Sequence, residues 1–296
     1  MIITKLIGGL GNQMVQYAVA RNLAHIKQAE FKMDISGFEL IEPIDTPRRY
    51  ELSCFNIVEN FASLEEVAAL IDRKQGIMGR VIRRVLHKPP KLPPTYIREK
   101  KRFRFDHDIL NLSDDACLDG YWQNEKYFKD IADVIKDDFT IKIEPDEKNK
   151  DLLSQIKNCN AVAIHVRRGD YATNPQTANY HGACGLDYYE KCVDLVAKKM
   201  NSPHFFVFSD DPKWTIENLK IDFSTTYISN NGQDKGCEDL RLMKHCKHFI
   251  IANSSFSWWG AWLSNNPNKI VLAPKRWFRK EDIDTKDLIP EGWIRI

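Results

Sequence analysis

At 296 residues, 43% apolar and 28% charged, the chain is long enough to bury two hydrophobic cores of ordinary size. A formal net charge of +2 excludes the strong overall field that gathers nucleic acid, so any positive patch must be local. The longest apolar candidate, HFIIANSSFSWWGAWL, is broken by Asn253, Ser254, Ser255 and Ser257 and falls short of a membrane span, and the opening MIITKLIGGLGNQ lacks the apolar core of an export signal. With seven scattered cysteines suited to reduced thiols, these features predict a cytoplasmic chain, soluble or peripheral.

The first half opens with a predicted strand at 2–7 (IITKLI), a helix over 12–27 and a second strand at 31–35. Between strand and helix lies IGGLGNQM, where Gly9 and Gly11 supply two glycines of a dinucleotide fingerprint and Met14 stands in place of the third. The loop reads either as a phosphate-facing turn or as a tight turn with Asn12 capping the helix. Ser63 and Glu66 form a capping-box pattern ahead of VAALI. Over 77–87, Ile77, Met78, Val81, Ile82, Val85 and Leu86 share one helical side, with Arg80, Arg83 and Arg84 elsewhere. Such a helix packs its apolar face on the body or lies on an anionic membrane surface. KPPKLPP, at 88–94, is a stiff loop.

The second half alternates strands at 161–166 (AVAIHV), 204–208 (HFFVF), 225–229, 249–252 (FIIA) and 270–273 with helices at 187–200, 212–219, 237–247 and 254–264. In LDYYEKCVDLVAKKM, Leu186, Tyr189, Val193, Val196 and Met200 advance by three or four residues, as one buried helical face requires. This alternation predicts βαβ units and parallel sheets. The expected architecture is α/β, with two Rossmann-like halves, 1–150 and 151–296, facing a cleft that holds the ligand.

Polar clusters recur where the second-half strands end: HVRRGD, FSDD and NSSF. In open parallel sheets those ends line the ligand crevice. Arg167 and Arg168 are adjacent cations directly after a buried strand, and Asp170 can offset only one of them. At the other cluster, Asn253, Ser254, Ser255 and Phe256 start a helix whose backbone N–H groups and dipole can hold phosphate, a role compatible with N-capping by Asn253 or Ser254. The missing anion is therefore expected to be a diphosphate between Arg167 and this helix start. Trp258, Trp259 and Trp262 are read as packing. No metal is expected. His245, Cys246 and His248 would point apart, and Asp282 and Asp284 read as a solvated turn.

IGGLGNQM, GYWQNEKYF at 120–128, HVRRGDY at 165–171, FSDD at 208–211 and ANSSFSWWGAWL at 252–263 together resemble, in the same order, the α-1,2-fucosyltransferases of glycosyltransferase family 11 in their bacterial form. The resemblance implies a GT-B-like fold, GDP-fucose as donor, a galactose-terminated glycan as acceptor, inversion at the sugar, and no metal or other cofactor. By more distant analogy with α-1,6-fucosyltransferases and protein O-fucosyltransferases, Arg167 holds the β-phosphate. Ser254, Ser255 and Phe256 then cradle phosphate, His165 and Asp239 hold guanine, and Arg168 and Asn253 belong to the same donor set. Gly9, Gly11 and Asn12 would close over the donor from the other domain. Asp170 is either the general base or the ion-pair partner that orients an arginine. Surface polysaccharide or O-antigen synthesis is the implied setting. Another linkage, another nucleotide-sugar donor, or a glycan-binding module without turnover are the alternatives.

Overall fold

Two sheets, each built of parallel strands, organise the residues that the computed structural model describes: 1–38, 48–72, 92–100, 102–280 and 282–296. The basic helix expected at 77–87, and most of the proline loop after it, lie outside these residues. The chain divides into two compact units, Met1–Thr140 with Lys286–Leu288, and Ile141–Thr285 with Ile289–Ile296.

Unit 1 carries strands β1 (Ile2–Lys5), β2 (Phe31–Asp34), β3 (Tyr96–Arg98) and β4 (Ala116–Asp119) in the order β2-β1-β4-β3. Helix α1 (Leu10–Lys27) connects β1 to β2, and its buried face extends nearly all round, from Met14 and Val15 through Tyr17, Val19 and Leu23. Its buried amides are paired, as burial requires: Gln13 donates to the carbonyls of Gly8 and Arg49, Gln16 to that of Gly120 and Asn22 to that of Tyr127. Helix α2 (Leu64–Asp72) begins with both bonds of the expected capping box: Ser63 N–H donates to Glu66 Oε2 at 2.9 Å, and Glu66 N–H to Ser63 Oγ at 3.2 Å. Helix α3 (Ala132–Asp138) closes the unit. The C-terminal segment returns here through Asp287, which receives Arg104 Nε at 3.1 Å and Lys126 Nζ at 3.0 Å.

Unit 2 begins with helix α4 (Glu147–Lys157) and central strand β5 (Asn160–Val166), followed by the short helices α5 (Gly169–Thr173) and α6 (Pro175–Tyr180) and by α7 (Leu186–Ala197). Strand β6 (Pro203–Ser209), α8 (Pro212–Asn218), β7 (Thr225–Ile228), α9 (Gly236–Lys244), β8 (His248–Ile250), α10 (Ser255–Trp262), β9 (Val271–Ala273) and β10 (Ile294–Arg295) complete it. The sheet order is β10-β9-β8-β5-β6-β7. Continuous apolar runs such as AVAIHV and HFFVF form these strands because both faces of a parallel sheet are covered. Val162, Ile164, Phe205 and Val207 pack with Tyr189, Cys192 and Val196 of α7 in one core. Trp258, Trp259 and Trp262 are all buried, the first and last stacked 6.1 Å apart, which makes them packing.

The division after Thr140 precedes the 150/151 boundary expected from sequence. The cause is α4, which packs on β5 and α9 through buried Leu152 and Ile156 and so belongs with the second sheet.

Candidate functional site

The order of the unit 2 sheet reverses between β5 and β8: from β5 the chain proceeds outward through β6 and β7, then returns to lay β8 on the opposite side. The carboxyl ends at such a switch point splay their connections apart and leave a crevice. HVRRGD follows β5, and the α10 start follows β8.

Arg167 and Arg168 diverge there, as consecutive residues leaving an extended strand do. Arg167 Nη2 lies 2.6 Å from Asp170 Oδ1, and its Nη1 lies 2.8 Å from Asp210 Oδ2. Its guanidinium also sits 5.2 Å from the Tyr171 ring centre. Burial opposes the charge, but Asp210 and then Asp170 outweigh it and hold the group cationic above its ordinary range. Arg168 turns the other way, with its guanidinium 3.5 Å over the Trp214 ring and its Nε 3.7 Å from Asp211. The structure therefore makes Arg168 a stacked partner of α8, a use its grouping with donor ligands does not anticipate. Its backbone N–H donates to Asp210 Oδ1 at 2.8 Å. Asp210 thus fixes both the turn and the cation, each bond to a charged group contributing about 1.5–3 kcal/mol.

Asp170 is observed as the ion-pair partner of Arg167, one of its two expected roles. Beside them, the Tyr171 and His181 rings stack 4.6 Å apart at 11°, and burial holds His181 neutral, down to about 4. His165, on β5, is buried with Nδ1 lacking a hydrogen-bond partner; burial, then Arg167, pushes it down to about 3. Its ring meets Phe256 at 5.4 Å, which joins the β5 end to the α10 start.

At that start, Ser254 is the N-cap but makes no side-chain cap bond, unlike Asp146, which caps α4 at Asn149 N–H. Ser255 and Phe256 form the half-buried first turn. Asn253 needs correction as a donor ligand or a cap. Its Nδ2 donates to the backbone carbonyls of His181, Gly182 and Trp277 at 3.2, 2.8 and 3.0 Å, and its Oδ1 receives Cys184 Sγ at 3.5 Å. It clamps three chain segments together.

Asp239, on α9, accepts from Asn231 Nδ2 at 2.9 Å, and Asn231 is tied to fully buried Asn149. Desolvation raises the Asp239 carboxyl to about 7, against the Asn231 hydrogen bond and with help from Glu238.

In unit 1, α1 starts at Leu10 with Gly9 as N-cap, so Asn12 is inside the first turn and does not cap. Gly8 has φ +77, and a β-carbon there would lie 2.6 Å from Asn12 Nδ2. Gln123 Nε2 donates to Asn12 Oδ1 at 2.7 Å, fixing the amide, while Gly11 lies buried in the turn. The Leu10 N–H is taken by Glu51 Oε2 at 3.1 Å, so a protein carboxylate already stands where an anion would sit on this helix start. Next to it, GYWQN follows β4 with Trp122 at φ +54 and its backbone N–H donated to half-buried Glu99. Burial raises Glu99, opposed by the N–H groups of Tyr121, Trp122 and Phe103.

Among the described residues no cluster of three His, Cys, Asp or Glu is placed to hold a metal ion. His245 Nδ1 pairs with the Arg241 carbonyl at 2.7 Å, His248 Nδ1 accepts from Ile270 N–H at 3.0 Å, and Asp282 and Asp284 are exposed. No described helix is long and apolar enough to cross a membrane. Asp210, Tyr171, His181 and Trp214 are the residues of this site that sequence reasoning left out. FSDD at a strand end was the available signal for the first.

Two all-parallel α/β units, one presenting an anchored arginine and a helix start at its switch point, define a GT-B-type glycosyltransferase. The chain belongs to glycosyl transferase family 11, whose model matches residues 105–296. It is 34% identical to an Escherichia coli alpha-1,2-colitosyltransferase, over 100% of this chain and 99% of the relative. It is also 34% identical to the Escherichia coli O-antigen biosynthesis glycosyltransferase WbnK, over 98% and 99%. A rat galactoside alpha-(1,2)-fucosyltransferase 1 is 28% identical over 53% of this chain and 43% of its own. An Arabidopsis thaliana FUT1 mutant solved with GDP shares the fold with a TM-score of 0.52 at 12% identity, covering 99% of this chain and 75% of that one.

Proposed function

We propose that this glycosyltransferase moves L-fucose from GDP-fucose to the 2-hydroxyl of a terminal galactose, with inversion, during assembly of a surface polysaccharide such as an O-antigen. The observation that carries the reading is Arg167, held by Asp210 at the carboxyl end of β5, an end that the His165–Phe256 ring contact joins to the start of α10. Cleaving the glycosyl bond adds negative charge to the departing GDP, and a fixed cation at the β-phosphate lowers that barrier. Arginine stays charged at any working pH, and its planar fork holds a protein carboxylate on one terminal nitrogen while the other faces a phosphate oxygen. The N–H groups of Ser255 and Phe256 take the remaining phosphate oxygens. His165 and Asp239 hold guanine. This reading gives no metal a role, and EDTA is expected to leave turnover unchanged.

The α-1,2 linkage and the galactose acceptor draw support from the names of the bacterial and animal relatives. Colitose is fucose without its 3-hydroxyl, so the full-length match to a colitosyltransferase favours one second reading, a nucleotide-linked colitose donor. Incubation with GDP-fucose, or with the colitose nucleotide, and a panel of galactosides separates the two. Product mass identifies the sugar and NMR the linkage. No product from GDP-fucose, with product from the colitose donor, replaces the first reading by the second.

A further inference from the structure

The charges around Arg167 do not suit an incoming anion. One guanidinium lies between two carboxylates, Asp170 at 2.6 Å and Asp210 at 2.8 Å, which leaves the trio one charge negative. Arg168 does not redress this, because it lies on Trp214 beside Asp211. A diphosphate arriving here meets a cation with both terminal nitrogens engaged and a surplus of like charge.

The two carboxylates are held differently. Asp210 follows β6, takes the Arg168 N–H at 2.8 Å, and fills the space above Gly169, where a β-carbon would fall 2.4 Å from its Oδ2. Asp170 stands in the first turn of the five-residue helix α5, off the sheet, where a side-chain rotation moves it without disturbing a strand.

We propose that Asp170 is a resident competitor of the donor: the diphosphate takes Nη2 of Arg167 from Asp170, while Asp210 keeps Nη1 and holds the guanidinium in position. This rests on the reading that the donor diphosphate binds at Arg167. It makes Asp210 a positioning residue, and it releases the Asp170 carboxylate from Arg167 only in the donor complex.

The test is calorimetric titration of the full chain with GDP, at one pH and ionic strength, for the wild type, Asp170→Asn and Arg167→Ala. Asp170→Asn binds GDP about three- to tenfold tighter, because one competing like charge at a part-buried site is gone. Were Asp170 needed to orient Arg167, the same variant would bind GDP more weakly; weaker or unchanged affinity overturns the proposal. Asp170→Ser, too short to reach the guanidinium, repeats the comparison should the amide variant fold poorly. Arg167→Ala checks the underlying reading separately. If it binds GDP as well as the wild type, the diphosphate lies elsewhere and that reading fails. If it loses GDP while Asp170→Asn also binds more weakly, the exchange alone is rejected.

Discussion

Gly169 and Asp210 share one small space, for a β-carbon on Gly169 would stand 2.4 Å from Asp210 Oδ2. Carboxylate ends are ordinarily free to swing aside, but this one is held by the Arg168 N–H and the Arg167 guanidinium. Gly169→Ala therefore displaces the anchor of Arg167 rather than the fold, since alanine suits the first turn of α5 better than glycine. Turnover is expected to fall by about tenfold to a hundredfold, the scale of a misplacement near 1 Å, with the thermal midpoint almost unchanged. A loss of stability matching the loss of rate would contradict this.

Arg167→Lys keeps the charge and loses the fork. A lysine ammonium cannot span Asp210 and a phosphate with the same planar geometry. Steady-state kinetics should show kcat reduced by roughly 10²–10³, the scale seen when one transition-state charge partner is lost, with Arg167→Ala at least as impaired. If lysine restores full activity, charge alone is sufficient and the fork is dispensable.

Strands of unit 2 are legible in the sequence because strands covered on both faces are unbroken apolar runs; β5, β6 and β8 begin or end within two residues of their expected limits. Strands β3 and β4 are not, being three and four residues long within polar surroundings. Asn12 looks a better cap than Gly9 by residue type, and only Glu51, brought in from 41 positions away, shows how the helix start is satisfied. The site was half legible for the same reason. HVRRGD carries its arginine locally, whereas Asp210 becomes its neighbour through the β5–β6 register, Val166 against Ser209, which no local spacing encodes. Asn253 resembles a cap until the three carbonyls around its amide are known.

Asn253→Ala strips the partner from three backbone carbonyls at a position 2% exposed. Leaving buried acceptors without donors costs about 1–3 kcal/mol each where water cannot reach them, so a net loss of about 2–4 kcal/mol is expected after relaxation. Denaturant unfolding measures it directly. A variant of wild-type stability that loses only GDP affinity would return Asn253 to the donor-binding set.

Asp239 gives the pH dependence. Desolvation raises its carboxyl to about 7 in the folded chain, against an ordinary unfolded value of about 3.9. The native state therefore holds the extra proton, and the stability this contributes is fully present below the unfolded value and lost as pH rises through about 7. The proposed guanine contact runs the other way, because an ionised carboxylate accepts the N1–H and the exocyclic amine of the base, whereas a protonated one presents a donor to them. GDP affinity should thus fall by up to about tenfold per pH unit below the folded value, while thermal stability rises over the same window. The two histidines near Arg167, His181 at about 4 and His165 at about 3, titrate too low to produce this step. In Asp239→Asn, which cannot ionise, the stability trend should flatten and the affinity trend should shrink to the part contributed by the terminal phosphate of GDP, whose second proton leaves at about 6. Calorimetry and thermal unfolding between about pH 5.5 and about pH 8 check the pair, and a GDP affinity independent of pH in the wild type would remove Asp239 from the guanine contact.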